Sequence, residues 1–210
     1  SDILFFSDRG KAYQLKMYDI PEGKRATRGK SIMNFLSIEQ GEAVSSVLAL
    51  PKSKKSEDLA MVMVTKNGTV KKMNAEHFHE VRRSGLLAIK LDKDDELISA
   101  HLVRVGEDIV VATARGQSIR FKESDARPMG RNAAGVHAMR VGKKDELIGA
   151  DVISAQEKNA HLLVMSSEGF GKKTNVKNYR LQRRGGSGIK TAKITDKTGH
   201  LVSAKVIYPE

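Results

Sequence analysis

Arginine and lysine recur beside glycine at regular places along this 210-residue chain, and that pairing suits the gripping of phosphate. A guanidinium fork bonds two oxygens at once, and a neighbouring glycine lets the backbone come close enough to donate an N–H. Four loops carry the pattern. Lys24, Arg25, Arg28 and Lys30 surround Gly29; Arg82 and Arg83 precede Gly85; Arg127 and Arg131 precede Gly135. In the last loop Gln182, Arg183 and Arg184 lead into Gly185, Gly186, Ser187 and Gly188, with Lys190 just beyond. Arg25, Arg131 and Arg184 each stand four residues before the closing glycine, a place held by Val81 in the second loop. A second set of cations lies on strand-like segments. Lys72, Arg120 and Lys173 stand four residues after Gly68, Gly116 and Gly169, where Gln14 follows Gly10, and Lys122 shares a segment with Arg120. The next residues are Leu15, Met73, Phe121 and Thr174, so a period of two gives these segments one buried face and one polar, mostly cationic face.

Other chemistries fit less well. The stretch Gly23 to Ser31 ends in Gly29-Lys30-Ser31 like a nucleotide cradle, but five residues separate its glycines where the cradle has four, and no helical pattern follows. His77 and His79 alternate as on one strand face, yet two ligands do not make a metal site, and the chain has no Cys. Asp92 to Glu96 is acidic like a calcium loop but lacks its central Gly; Lys143 to Glu146 occupies the same place in the next repeat, so a polar turn is expected in both. No Gly-x-Ser-x-Gly elbow occurs, and Ser187 has arginine neighbours rather than a His and an Asp. A binder is expected rather than a catalyst, with no metal and no cofactor held by this chain.

The elements that must position these cations are set by repetition. Gly10, Gly68, Gly116 and Gly169 each follow a run of β-formers and a short polar turn, the mark of a β-hairpin. The second glycines, Gly29, Gly85, Gly135 and Gly188, come 19, 17, 19 and 19 residues later. A period near 50 residues with four strands in each predicts an all-β, propeller-like fold, here four repeats over residues 3–50, 59–103, 109–153 and 162–207. Residues 1–210 are then a single domain, and the polar stretch 51–57 an inter-blade linker. In the first repeat a third strand is expected over 32–38. The absence of Trp and an aromatic share of 5% leave the cores to Val, Ile, Leu and Met.

Thirty-seven Lys and Arg against 25 Asp and Glu give a formal net charge of +12, which points to a polyanionic partner, nucleic acid first. No apolar run approaches the roughly 18 residues that span a bilayer, so no membrane partner is expected. The lack of Cys suits a reducing interior. The chain opens on Ser1-Asp2 and runs straight into a strand, with neither a Met nor a secretory leader, as expected of a piece of a longer protein.

The whole chain resembles the C-terminal domain of the bacterial DNA gyrase A protein, a β-pinwheel related to propellers. The matching runs are Ser7 to Tyr18, Arg28 to Leu36, Asn67 to Lys72, Ile119 to Ser124 and Arg127 to Val136, spread over the repeats. The family's gyrase box reads Gln-Arg-Arg-Gly-Gly-Lys-Gly; Gln182 to Gly188 matches it except that Ser187 stands in place of the lysine, and the box falls in the last repeat rather than the first. The resemblance implies duplex DNA bent and wrapped around a basic outer rim without sequence preference, supporting ATP-dependent negative supercoiling by a cytoplasmic, nucleoid-associated type II topoisomerase. It also implies the gyrase B protein and the N-terminal part of the gyrase A protein as partners, with ATP, magnesium and the cleavage tyrosine outside this chain. The neighbouring alternatives are the related domain of topoisomerase IV, which binds DNA without strong wrapping, and a protein-interaction propeller.

Overall fold

A computed structural model describes residues 2–52, 58–157 and 159–209. The first repeat supplies β1 (Asp2–Ser7), β2 (Lys11–Lys16) and β3 (Val44–Leu50); the second β4 (Leu59–Thr65), β5 (Thr69–Asn74), β6 (Leu86–Leu87) and β7 (Leu97–Arg104). The third supplies β8 (Asp108–Thr113), β9 (Gln117–Lys122), β10 (Val136–His137) and β11 (Leu147–Ile153). The fourth supplies β12 (His161–Ser166), β13 (Gly171–Asn175), β14 (Leu181–Gln182), β15 (Ile189–Lys190) and β16 (Leu201–Ile207). The all-β expectation holds. The segment 53–57 of the expected linker lies outside the described residues.

Each sheet is an antiparallel trio from one repeat, in the orders β3-β1-β2, β7-β4-β5, β11-β8-β9 and β16-β12-β13. The fourth strand comes from the next repeat. β6 pairs with β2, β10 with β5, and both β14 and β15 with β9. The second and third repeats supply the four strands expected of them and the first supplies three, but the short strand leaves its own sheet and completes the preceding one. The last sheet has three strands, and β13 carries no added strand among the described residues.

The same exchange corrects the third strand expected over 32–38 in the first repeat. No preceding sheet stands among the described residues to receive it, and the stretch forms a 3-10 turn at Ile32–Asn34, capped by the Ser31 hydroxyl. Leu36 and Ile38 fold back onto Phe5 and Tyr13. The Tyr13 hydroxyl in turn donates to Glu42 Oε1 at 2.8 Å.

The apolar cores lie between blades. All seven residues of β4 are buried because its two faces meet different neighbours: Leu59, Met61 and Met63 pack with the first blade, Ala60, Val62 and Val64 with the third. In the last blade β12 alternates, with Leu162 and Val164 buried and His161, Leu163 and Met165 half-exposed. β3, β7, β11 and β16 lie side by side in that order, so the borrowed strands mark the opposite, outer end of each sheet.

A hydroxyl closes every hairpin. Ser7, Thr65, Thr113 and Ser166 are buried at the ends of the first strands, and each accepts the N–H four residues on, from Lys11, Thr69, Gln117 and Phe170 at 3.1–3.4 Å. This satisfies a backbone donor where the hairpin turn enters the second strand.

Candidate nucleic-acid interface

The strand-borne cations do not face solvent as a set. Gln14, Lys72 and Arg120 occupy one position in successive repeats, and each reaches the turn after the second strand of the following repeat. Gln14 Nε2 donates to His79 O at 3.1 Å; Lys72 Nζ donates to Glu123 O at 3.1 Å and Glu123 Oε2 at 2.6 Å; Arg120 Nη1 donates to Val176 O at 2.9 Å. Arg120 is also held by its own blade, with Nε 2.9 Å from Asp108 Oδ2. The reading of Lys72 and Arg120 as phosphate-facing is corrected by this. Their charge is spent on blade seams, where the N–H donors also satisfy turn carbonyls. Lys173, at the same position in the fourth repeat, is exposed.

The glycines belong to the same joints. Gly68 O accepts from Ala138 N and Met139 N at 2.8 and 3.4 Å, a contact repeated at Gly10 and Gly116. With φ +101°, Gly68 would place a Cβ 2.7 Å from Met139 O. Gly135, at φ +95°, would place one 2.6 Å from Val70 O. The close approach expected to serve phosphate therefore serves the preceding blade. Gly29 has nothing within 4 Å of such a Cβ, in keeping with a first loop that joins no sheet.

Lys71, beside Lys72, is fully buried, and its Nζ donates to Ala88 O at 2.8 Å and Arg131 O at 3.0 Å. Burial without a carboxylate pushes its pKa down to about 8. It ties β5 to the arginine loop of the next repeat.

The loops tell a different story from the strands. Arg25, Arg28, Lys30, Arg82, Arg83, Lys122, Arg127, Arg131, Arg183 and Lys190 are exposed. Among the described residues none of them forms an ion pair. The loop after Arg127 runs beside β5, with Met129 N donating to Lys72 O at 2.8 Å. The last loop runs beside β9, where Leu181 stands opposite Arg120 and Lys190 opposite Gln117. Both loops thus lie along the outer ends of the sheets.

Within that last loop the roles divide. Arg184 is half-buried, its Nε 2.8 Å from Asp125 O and its Nη1 3.2 Å from His137 O, and Gly185 N donates to Ala138 O at 2.7 Å. Arg184 therefore anchors the loop to the third repeat. Arg183 and Ser187 are exposed, while Gln182 is half-buried in β14.

The other motifs resolve simply. His77 lies in a 3-10 turn, Ala75–Phe78, and His79 caps it, so they do not alternate on a strand. Gly23 to Ser31 is an exposed loop followed by a three-residue 3-10 turn, which offers no α-helix N-terminus for a nucleotide. Asp95 and Asp145 do close polar turns, accepting from Asn67 N and Arg115 N at 2.9 and 3.0 Å.

Four cations escaped the sequence reading. Arg115, Arg140, Lys143 and Lys144 line a cleft of about 520 Å³ together with Gln117 and Ser187. Their signal lay in the comparison of repeats: where the second has Asp92 and Asp94, the third has Gly142 and Lys144.

Small sheets set side by side, the first three completed by a strand from the next repeat and bearing cationic loops at their outer ends, define a strand-exchanging propeller-like domain with a basic rim. A profile of the family described as "DNA gyrase C-terminal domain, beta-propeller" matches residues 1–51, 61–104, 107–154 and 160–207, and the chain belongs to that family. It is 39% identical over 208 residues to the DNA gyrase A protein of Staphylococcus epidermidis, covering 99% of this chain and 23% of that protein. The chain thus spans about a quarter of the length of the curated relatives it matches. Two solved structures share the fold: the C-terminal domain of DNA topoisomerase IV (TM-score 0.86, 22% identity, 98% of this chain and 63% of that one) and a DNA gyrase A C-terminal domain (0.80, 24%, 98% and 65%).

Proposed function

We propose that this chain binds duplex DNA without sequence preference along the outer ends of its blades, bending and wrapping it as the C-terminal domain of a gyrase A protein. The observation that carries the reading is the separation of two kinds of cation. Lys72 is neutralised by Glu123 across a seam and Arg120 by Asp108 of its own blade, whereas the loop cations are unpaired among the described residues and, Arg184 apart, exposed. Unpaired cations on a curved edge are what a phosphate backbone would meet.

The magnitudes are compatible. Bending 20–30 bp by 40–90° costs on the order of 1–6 kcal/mol. Contact with about six to ten phosphates would make affinity fall roughly 10³–10⁵-fold between 50 and 200 mM salt. The loops carry few aromatic side chains, which favours duplex backbone over stacked single strands.

In this reading the chain works within a cytoplasmic, nucleoid-associated holoenzyme. The gyrase B protein supplies ATP hydrolysis with magnesium, and the N-terminal part of the gyrase A protein supplies strand cleavage, so the supercoiling activity belongs to the assembly. The 39% identity to a gyrase A protein supports the gyrase reading. The deciding experiment is relaxation of a DNA circle by a topoisomerase I in the presence of this chain, followed by two-dimensional gels. A positive shift in linking number is expected. Retardation of duplex without any shift would leave binding and remove wrapping.

A further inference from the structure

The cleft on the third blade, where the last loop of the fourth repeat lies against it, differs in charge from its counterpart one blade earlier. It is bounded by Arg115 in the β8–β9 turn, Gln117 at the start of β9, Arg140, Lys143 and Lys144 in the polar turn before β11, and Ser187 in the last loop. Among the described residues none of the four cations forms an ion pair. The one carboxylate in the lining, Asp145, uses Oδ1 to accept from Arg115 N and Glu146 N at 3.0 and 2.9 Å.

The counterpart cleft, about 370 Å³, is lined by Lys90, Asp92, Asp95 and Arg184, so cations and carboxylates balance there. Residues 90–97 and 140–147 align without a gap, with Lys90 matching Arg140, Asp92 matching Gly142 and Asp94 matching Lys144. The fold is the same at both seams. Only at the later one is the hollow left with a surplus of positive charge, and concentrating like charges in a concavity is unfavourable unless an anion fills it.

We propose that this cleft is a phosphate-binding site that seats the backbone of bound duplex on the third blade, beside the loop that the fourth repeat lends to it. Arg115 and Arg140 present guanidinium forks suited to two phosphate oxygens. Lys143 and Lys144 add point charge from the turn, and the Ser187 hydroxyl and Gln117 amide can donate to the same oxygens. The inference rests on the duplex-binding reading, but it assigns a phosphate contact to four cations outside the arginine loops.

The test compares two variants of equal net charge, in the full chain, by filter binding of duplex at 50–200 mM salt. Arg140→Gln, Lys143→Gln and Lys144→Gln together remove three of the cleft's four cations; Lys66→Gln, Lys90→Gln and Lys93→Gln lower the charge equally around its counterpart. Each lost phosphate contact removes about 0.9 from the slope of log K against log salt. The first variant is expected to lose about 2 and bind at least tenfold more weakly at 100 mM; the second is expected to lose less than about 1. Ser187→Lys, on an exposed position, should instead steepen the slope by about 1 and tighten binding. Equal slopes in the two triple variants, or no gain with Ser187→Lys, would overturn the site while leaving duplex binding intact. Binding of inorganic phosphate or pyrophosphate that the cleft variant abolishes, with its duplex slope unchanged, would overturn the assignment to DNA. No retention of duplex by the unaltered chain at low salt would overturn both readings.

Discussion

Lys72 Nζ lies 2.6 Å from Glu123 Oε2 across the seam between the second and third blades, with each side chain 8% exposed. A cation placed in register by the repeat thus meets a carboxylate supplied by the next repeat. Glu123 Oε1 also accepts from Gly106 N at 3.3 Å, so the carboxylate ties together three points of the chain. Shielding from water makes such a pair costly to break and cheap to replace as a whole.

Lys72→Ala should lower stability by about 3–5 kcal/mol, because it strands the Glu123 carboxylate away from water. Lys72→Met with Glu123→Leu should recover most of that loss. Urea unfolding followed by circular dichroism measures both, and a loss below about 1 kcal/mol for the single change would show that water reaches the seam.

Gly135→Ala and Gly29→Ala should behave differently despite their equivalent places in the repeat. At Gly135 the added Cβ meets Val70 O and a left-handed backbone, so a loss of at least about 1–2 kcal/mol is expected in urea midpoint analysis. At Gly29 the space is open and the change should stay within about 0.5 kcal/mol.

Arg183→Ala and Arg184→Ala should separate binding from stability. Arg183 is exposed, so its loss should weaken duplex binding and shallow the salt slope by about 1 with little change in melting temperature. Arg184 holds Asp125 O and His137 O, so its loss should lower the melting temperature first. Calorimetry and filter binding on the same preparations distinguish the two.

Lys71 sets a pH dependence. Its folded pKa of about 8 lies below the ordinary 10.5, so the cost of burying its charge is fully present below pH 8. Between those values the unfolded chain holds the proton more often than the folded one, and stability rises with pH. Relative to Lys71→Met, the unaltered chain should gain about 2 kcal/mol at most between pH 7.5 and 9.5, read from urea midpoints. A constant difference would mean that Lys71 titrates normally.

The sequence by itself determined the repeat, the hairpins and the sites of the arginine loops. Gly10, Gly68, Gly116 and Gly169 mark turns by their chemistry, and alternation along β2, β5 and β9 fixes which residues share a face, both local properties of the backbone. The hydroxyls of Ser7, Thr65, Thr113 and Ser166 were equally legible, at one offset before each turn. What a face looks out on is not local. Only the tertiary structure decided that Lys72 and Arg120 meet a neighbouring blade, that Gly135 packs against Val70 of the preceding repeat, and that residues 32–38 form no strand. Leu86–Leu87, Val136–His137 and Leu181–Gln182 pair with sheets other than their own, so where each arginine loop lies depends on a strand exchange between repeats. The cleft around Arg140 divides between the two: its charge surplus is written in the third repeat alone, and only the tertiary structure decided that Ser187 of the fourth repeat lines it.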